Sequence, residues 1–278
     1  MTPTPGLHPN MGNDEYHSHT DWWSSTQLKA FLPEQYKPFA GNTDALTFGT
    51  LVHELVLEPD LHAKYVPLDA AKIGVKADGT PAANPLMTTA WKRAVAEVEQ
   101  DGHIPVAQTD WDKAHAMADS LARHPEAADL LWNIDGTNEE SAFWTDDHGL
   151  QHKARFDRRI SGAVIDLKTT SAAPGEHSLT RACIDYGYEL SAAHYLEVAD
   201  GLELDAHTFI HVWVSKTTPY RVTVTELDHF FIERGRHLRR LALDRALNRL
   251  DPYDGATGRL ILTPPAWATY EDEMELTL

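Results

Sequence analysis

Two aspartates and a lysine are spaced so that a tight hairpin would bring them together. The residues on either side of Ser161-Gly162 are β-prone, and a two-residue Ser-Gly connection between such runs predicts a hairpin. This turn places Asp157 directly opposite Asp166. Lys168 shares their face of the sheet, because alternate residues of a strand point the same way. The hairpin therefore groups two carboxylates and one ammonium on a single surface.

These three side chains indicate metal-dependent chemistry. Opposed carboxylates repel each other, and such a pair usually persists because a proton or a cation lies between them. Carboxylate oxygens suit hard divalent cations such as Mg²⁺ or Mn²⁺, and the ammonium of Lys168 could hold or polarise a water. Ile165 and Leu167 point to the opposite face, which predicts a buried side behind the carboxylates. The alternative interpretation is an ordinary solvated charged surface.

A histidine on a predicted helix is a further ligand candidate. Residues 47–58, TFGTLVHELVLE, place their apolar side chains on one helical face. His53 falls at the border of that face, one turn after Gly49, which has no side chain to prevent close approach of another group. A half-buried histidine without a functional role is the alternative interpretation.

Taken together, these motifs resemble those of a known protein family. The sequence VIDLKTT at residues 164–170, preceded by Lys153-x-Arg155-x-Asp157, resembles the active-site core of PD-(D/E)XK nucleases. More narrowly, it resembles the phage and prophage RecE-type (exonuclease VIII-like) branch, which is akin to the RecB nuclease domain. Residues 48–53 resemble the helix of this family whose histidine helps to coordinate a metal. The fold expected is α/β (α+β), with a central mixed β-sheet flanked by helices around a restriction-endonuclease-like core.

The resemblance implies roles for these residues. Asp157 and Asp166 would hold Mg²⁺, with His53 and the main-chain carbonyl of Leu167 completing the protein ligands. Lys168 would orient or help to deprotonate the attacking water. Mn²⁺ is expected to substitute for Mg²⁺.

Four other positions are candidates for contacts with metal or substrate. Glu140 stands where RecB-like relatives often carry an additional acidic residue; Glu139 is an alternative, and so is a plain charge on an edge strand. Arg155, opposite Lys168 in the predicted hairpin, is placed to contact a phosphate. Tyr188 and Tyr195 match the two tyrosines of a helix in the relatives, or they only pack in the core.

Ser191 is a departure from the relatives, which carry a glutamine at this position of the same helix. A glutamine donates and accepts hydrogen bonds together, whereas serine is shorter. The departure puts the contribution of this helix to substrate binding in doubt, without affecting the metal ligands.

The function that the resemblance implies is a metal-dependent exodeoxyribonuclease. It would degrade linear double-stranded DNA from 5′ to 3′ in phage-type recombination, with a RecT-like single-strand annealing protein as partner, and would be a homo-oligomer. One alternative is an endonuclease or repair nuclease acting on branched DNA. Another is a catalytically silent DNA-binding or assembly protein that retains the nuclease fold.

Composition limits these possibilities. The 278 residues contain 24 Lys and Arg against 42 Asp and Glu, a net charge of −18, although a nucleic-acid binder is expected to show a basic surface. Positive charge is concentrated in the arginines of residues 234–249, which form either a solvated face or the wall of a DNA groove. The single cysteine, Cys183, excludes an internal disulfide and a four-cysteine Fe–S cluster within one chain, and it suits a reducing cytoplasm.

The chain is expected to form one main domain. We predict a flexible leader over residues 1–20, a single nuclease domain over 21–250 and an acidic tail over 251–278. A capped helix is expected to begin at Ser24 or Ser25, and residues 179–199 predict one continuous helix. With no long apolar run, a membrane span is not expected. A cytoplasmic protein is expected, and the resemblance implies that a phage or prophage encodes it in a bacterial host.

Overall fold

The computed structural model describes residues 3–248, except 34, 37–42, 77, 81 and 172–174. The predicted acidic tail, 251–278, lies outside the described residues. The strands are β1 (Gly6–His8), β2 (Tyr65–Leu68), β3 (Ile104–Ala107), β4 (Gly136–Thr145), β5 (Gln151–Ile160), β6 (Gly162–Thr170), β7 (Ala206–Ser215) and β8 (Val222–Glu226). The helices are α1 (Asn13–Ser18), α2 (Ser25–Lys29), α3 (Thr43–Leu57), α4 (Ala70–Ile73), α5 (Thr89–Gln100), α6 (Gln108–Arg123), α7 (Pro125–Ala128), α8 (Glu176–Tyr186), α9 (Tyr188–Gly201) and α10 (His229–Ala246).

The centre of the fold is a six-stranded mixed sheet in the order β1-β4-β5-β6-β7-β8. The neighbouring strands are antiparallel except for β6 and β7, which are parallel. A separate small sheet pairs β2 with β3 in parallel. The predicted fold class, a mixed central sheet flanked by helices, is confirmed.

The β5–β6 hairpin has the predicted register. Gly162 has a φ of 82°, a left-handed conformation that glycine adopts without a steric penalty. The backbone pairs that follow this turn are Ile160 with Ala163, Arg159 with Val164 and Arg158 with Ile165. The ladder ends there, one residue before Asp157 and Asp166 would pair.

Helices cover both faces of the sheet. Ile165 and Leu167 are fully buried in an apolar cluster that includes residues of α3 and α6. On the opposite face, Val164 and Phe209 pack in a second cluster with residues of α8 and α9. The alternation predicted for β6, with apolar residues behind the carboxylates, therefore agrees with the structure.

Three arginines of α10 are neutralised within the domain. Their ion pairs join Arg234 to Glu189, Arg236 to Glu233 and Arg239 to Glu197. For these residues the structure favours a balanced face over a DNA-groove wall, because their charge is already matched by a neighbouring carboxylate.

The N-terminal segment differs from the predicted flexible leader. Residues 6–8 form β1, which pairs with β4 at the edge of the sheet. Tyr16 of α1 is buried in a cluster with Trp22 and Phe143. A three-residue strand is too short to give a detectable alternation of apolar and polar residues, so only the pairing with β4 reveals it.

The helix predicted over residues 179–199 is divided in two. Gly187, with a φ of 64°, ends α8 and begins α9. A Cβ atom at this position would lie 2.8 Å from the ring of Tyr36, so both backbone conformation and space require glycine. The break places Tyr188 in the first turn of α9.

Within the described part of the chain, no helix is both long and apolar enough to cross a membrane.

Candidate active site

Three side chains from three elements converge at the point where β5 and β6 separate. His53 of α3, Glu139 of β4 and Asp157 of β5 each offer a ligand atom, and these atoms all lie within 4.8 Å of one another. Nδ1 of His53 is 3.5 Å from Oδ2 of Asp157. The same carboxylate oxygen accepts a hydrogen bond of 2.9 Å from the backbone N–H of Leu167. The predicted candidates His53, Asp157 and Leu167 are therefore neighbours in the structure.

Glu139 joins this group because the β4 backbone is irregular there. Asn138 pairs with Arg158 and Glu140 with Phe156, so Glu139 lies opposite Asp157 in the register. Its φ of 50° is uncommon for a residue with a side chain, and such conformations often occur at functional sites.

Of the two acidic residues that the sequence left as alternatives, the structure brings Glu139 to the group. The carboxylate of Glu140 is instead almost completely buried and is bound by Arg159 at 2.8 Å. Sequence alone could not separate the two, since they are adjacent and the conformation of residue 139 determines their directions.

The electrostatics of this group favour a cation. Burial, together with repulsion from Asp157, raises the pKa of Glu139 to about 8. Burial also raises the pKa of Asp157, and Asp166 adds to this effect while His53 opposes it. One imidazole with several carboxylates fits a divalent metal ion, which would offset the repulsion among these groups.

Asp166 and Lys168 form an ion pair on the neighbouring strand. Nζ of Lys168 is 2.5 Å from Oδ2 of Asp166, and Nε2 of the buried His211 is 3.7 Å from the same oxygen. Burial acts to raise the pKa of Asp166, but Lys168 holds it below its usual range. Burial likewise acts to lower the pKa of Lys168, but Asp166 and Asp157 raise it. The pair is therefore a carboxylate and an ammonium.

A second lysine, which the sequence did not suggest, lies beside this pair. The Nζ atoms of Lys168 and Lys29 are 5.2 Å and 5.6 Å from the centroid of the Tyr188 ring. Lys29 ends α2, which begins after a capping box formed by Ser24 and Gln27. Burial, with a contribution from Lys168, lowers the pKa of Lys29 to about 7. The capping signal predicts the helix, but only its packing shows that Lys29 reaches the site.

Arg155, which the sequence placed to contact a phosphate, is bound by other groups of the protein. Arg155 donates from Nε to Glu139 at 2.9 Å, and its Nη1 donates to Ser141 and to the carbonyl of Met11. Its guanidinium therefore orients Glu139.

The remaining two positions predicted on α9, Ser191 and Tyr195, contact other protein groups. Ser191 donates a hydrogen bond of 3.3 Å to Ser25 of α2. The ring of Tyr195 packs edge-on against Phe156 and Phe209. Among the three α9 positions, Tyr188 is the one in contact with Lys168.

The fold and the site define the class of protein. A mixed sheet with helices on both faces carries one aspartate on a hairpin strand and an Asp-x-Lys motif on the next strand, beside a helix that supplies a histidine. This is the architecture of the PD-(D/E)XK nuclease superfamily, as the sequence motifs predict. The chain belongs to the family described as PDDEXK-like domain of unknown function (DUF3799), whose model matches residues 18–249.

A solved structure has a similar fold. The crystal structure of a candidate exonuclease from Eubacterium rectale aligns over 100% of both chains with a TM-score of 0.55 and 13% sequence identity. At this identity the similarity concerns the fold. A search of curated protein sequences found no significant match.

Proposed function

We propose that the protein is a divalent-metal-dependent exodeoxyribonuclease of the RecE-like type, which degrades linear double-stranded DNA from 5′ to 3′. The observation that carries the proposal is the convergence of His53, Glu139 and Asp157 within 4.8 Å, next to the Asp166–Lys168 pair. The similar fold of a candidate exonuclease supports the nuclease class.

The proposed metal ligands come from four elements. His53, Asp157 and Asp166 would hold Mg²⁺ or Mn²⁺, with the Leu167 carbonyl as a main-chain ligand and Glu139 as an additional carboxylate. When bound, the cation would neutralise the scissile phosphate and lower the pKa of water.

The remaining groups position the reactants. The ammonium of Lys168 is held by Asp166 and lies over Tyr188, where it can orient the attacking water and stabilise charge that develops on the phosphate. Arg155 keeps Glu139 directed toward His53 and Asp157 through the 2.9 Å hydrogen bond. Leu167 fixes Asp157 through its backbone N–H.

The biological setting remains part of the proposal. The motif resemblance supports a role in phage-type recombination with a RecT-like annealing protein, and a homo-oligomeric enzyme. Copurification with such a protein and the mass of the native assembly are the direct measurements.

The experiment compares linear and covalently closed circular duplex DNA with Mg²⁺ or Mn²⁺. The native protein should degrade only the linear form, and 5′-end labels should be released first. Asp166→Asn and Lys168→Gln should each reduce the rate by about 10²-fold or more. Lys92→Gln, an exposed lysine of α5, is the control. Cleavage of the closed circle would indicate an endonuclease, and activity that survives both site variants would place the active site elsewhere.

A further inference from the structure

Two lysines from different parts of the fold contact the same aromatic ring. Nζ of Lys113, on α6, is 5.0 Å from the centroid of the Phe48 ring. Nζ of Lys216, which directly follows β7, is 6.0 Å from the same centroid. Both lysines are half-buried. The packing of α3, α6 and the sheet therefore holds two ammonium groups near each other.

Neither ammonium forms an ion pair in the described part of the chain. The side chains of Lys113 and Lys216 each lie over the Phe48 ring instead. Burial and the charge of Lys113 lower the pKa of Lys216, as expected for like charges close together. An anion at this position would relieve the repulsion.

The contrast with other basic residues of the domain is informative. Arg159 and Arg155 of β5 are paired with Glu140 and Glu139, and three arginines of α10 are paired as described above. The chain has a net charge of −18, yet Lys113 and Lys216 face an aromatic ring instead of a carboxylate. An external anion can therefore bind between them.

The pair lies next to the candidate active site. The backbone N–H of Lys216 donates to the carbonyl of Thr170 at 2.7 Å, two residues after Lys168 on β6. Phe48 precedes His53 by five residues on α3, about 7.5 Å along the helix at 1.5 Å per residue.

We infer that Lys113 and Lys216 bind a backbone phosphate of duplex DNA beside the bond that is cleaved. The Phe48 ring supports both ammonium groups through its negative face and keeps them near the end of β6. The inference rests on the proposed nuclease function, because it takes the metal group as the position of the scissile phosphate.

The test is DNA binding measured without cleavage. Fluorescence anisotropy of a labelled duplex in EDTA, over a range of NaCl concentrations, gives the Kd and its salt dependence. Each phosphate contact contributes about 0.9 to the slope of log K against log salt. Lys113→Gln combined with Lys216→Gln should reduce the slope by about 1, as expected for the loss of one phosphate contact, and weaken binding by about tenfold at low salt.

Two further variants separate phosphate binding from folding and from total charge. Lys76→Gln combined with Lys92→Gln removes the same charge from exposed positions and should leave the salt slope nearly unchanged. Lys113→Arg combined with Lys216→Arg keeps the charge and should keep the native slope.

The outcomes distinguish this inference from the proposed function. If the native protein binds duplex DNA and the Lys113/Lys216 glutamine variant shows the reduced salt slope, the inference holds even where no cleavage is seen. If the native protein cleaves DNA while that variant keeps the native slope, the inference is wrong and the nuclease proposal stands. A native protein that binds no duplex at any salt concentration overturns the inference.

Discussion

The backbone N–H of Leu167 donates a hydrogen bond of 2.9 Å to Oδ2 of Asp157. The backbones of the two hairpin strands pair as far as Arg158 and Ile165. One residue beyond Arg158, the side chain of Asp157 accepts the hydrogen bond from the neighbouring strand in place of a backbone carbonyl. The bond ties Asp157 to the strand that carries Asp166, while the separation of the strands makes room for His53 and Glu139.

Asp157→Asn should fold and lose metal binding. The amide oxygen of asparagine can still accept the Leu167 hydrogen bond, but the charge that attracts a cation is removed. In the native protein, a cation at 100 times its Kd should add about 2.7 kcal/mol to the free energy of unfolding. Thermal melting with Mn²⁺ and with EDTA measures this gain. Asp119→Asn, on the exposed side of α6, should keep it, and an equal gain in both variants would exclude Asp157 as a ligand.

Glu139→Gln and Glu140→Gln should have opposite effects. Glu139→Gln should weaken Mn²⁺ stabilisation with little loss of stability in EDTA, because it relieves repulsion from Asp157. Glu140→Gln should keep Mn²⁺ stabilisation and lower the free energy of unfolding by on the order of 2 kcal/mol, since it leaves Arg159 without its buried partner. Denaturant unfolding, with and without metal, measures both quantities. The reverse pattern would assign the metal group to Glu140.

Lys29→Gln should reduce cleavage without affecting metal binding. Nζ of Lys29 lies 5.6 Å from the Tyr188 ring, beside the Asp166–Lys168 pair, and burial lowers the pKa of Lys29 to about 7, so a nearby phosphate would favour its ammonium form. We expect about a tenfold lower single-turnover rate at saturating Mg²⁺, together with an unchanged Mn²⁺ melting shift. Lys64→Gln, on a lysine already paired with Glu54, is the control. A native cleavage rate in Lys29→Gln would show that this lysine does not contact the substrate.

Stability should fall as the pH decreases below about 6.5. Nε of Arg239 donates to Nδ1 of His194 at 3.1 Å, and its Nη2 lies 3.4 Å from Nδ1 of His152. Burial, reinforced by Arg239, lowers the pKa of His152 to about 4 and lowers that of His194 well below 6.5. At pH values between the lowered pKa of each histidine in the folded chain and its ordinary pKa of 6.5, the unfolded chain binds protons that the folded chain does not. Each histidine should therefore cost about 1.4 kcal/mol per pH unit, and the contribution is fully present above pH 6.5.

A matched variant isolates this dependence. Glu139, with its pKa raised to about 8, contributes in the opposite direction, since it stabilises the folded state when the pH falls. The comparison is therefore between the native protein and His152→Gln by denaturant unfolding from pH 7.5 to pH 5. The variant should lose less stability over this interval, and an identical pH dependence would contradict the role of His152.

The local parts of the fold were accessible from the sequence. The Ser161-Gly162 turn and the alternation of β6 depend on neighbouring residues, so the register and the buried faces of Ile165 and Leu167 followed from them. The capping box before α2 was predictable for the same reason. The strand Gly6–His8 could not be predicted, because it depends on pairing with β4. The break at Gly187 could not be predicted either, because it depends on contact with Tyr36.

The sequence by itself determined the Asp157, Asp166 and Lys168 set, since a period of two and a tight turn fix their positions relative to each other. Only the tertiary structure decided that Glu139 instead of Glu140 faces His53, and that Lys29, Lys113 and Lys216 lie near the same strand. These residues are far apart in the chain. Their distances depend on how α2, α3 and α6 pack against the sheet, and that packing is a property of the whole domain.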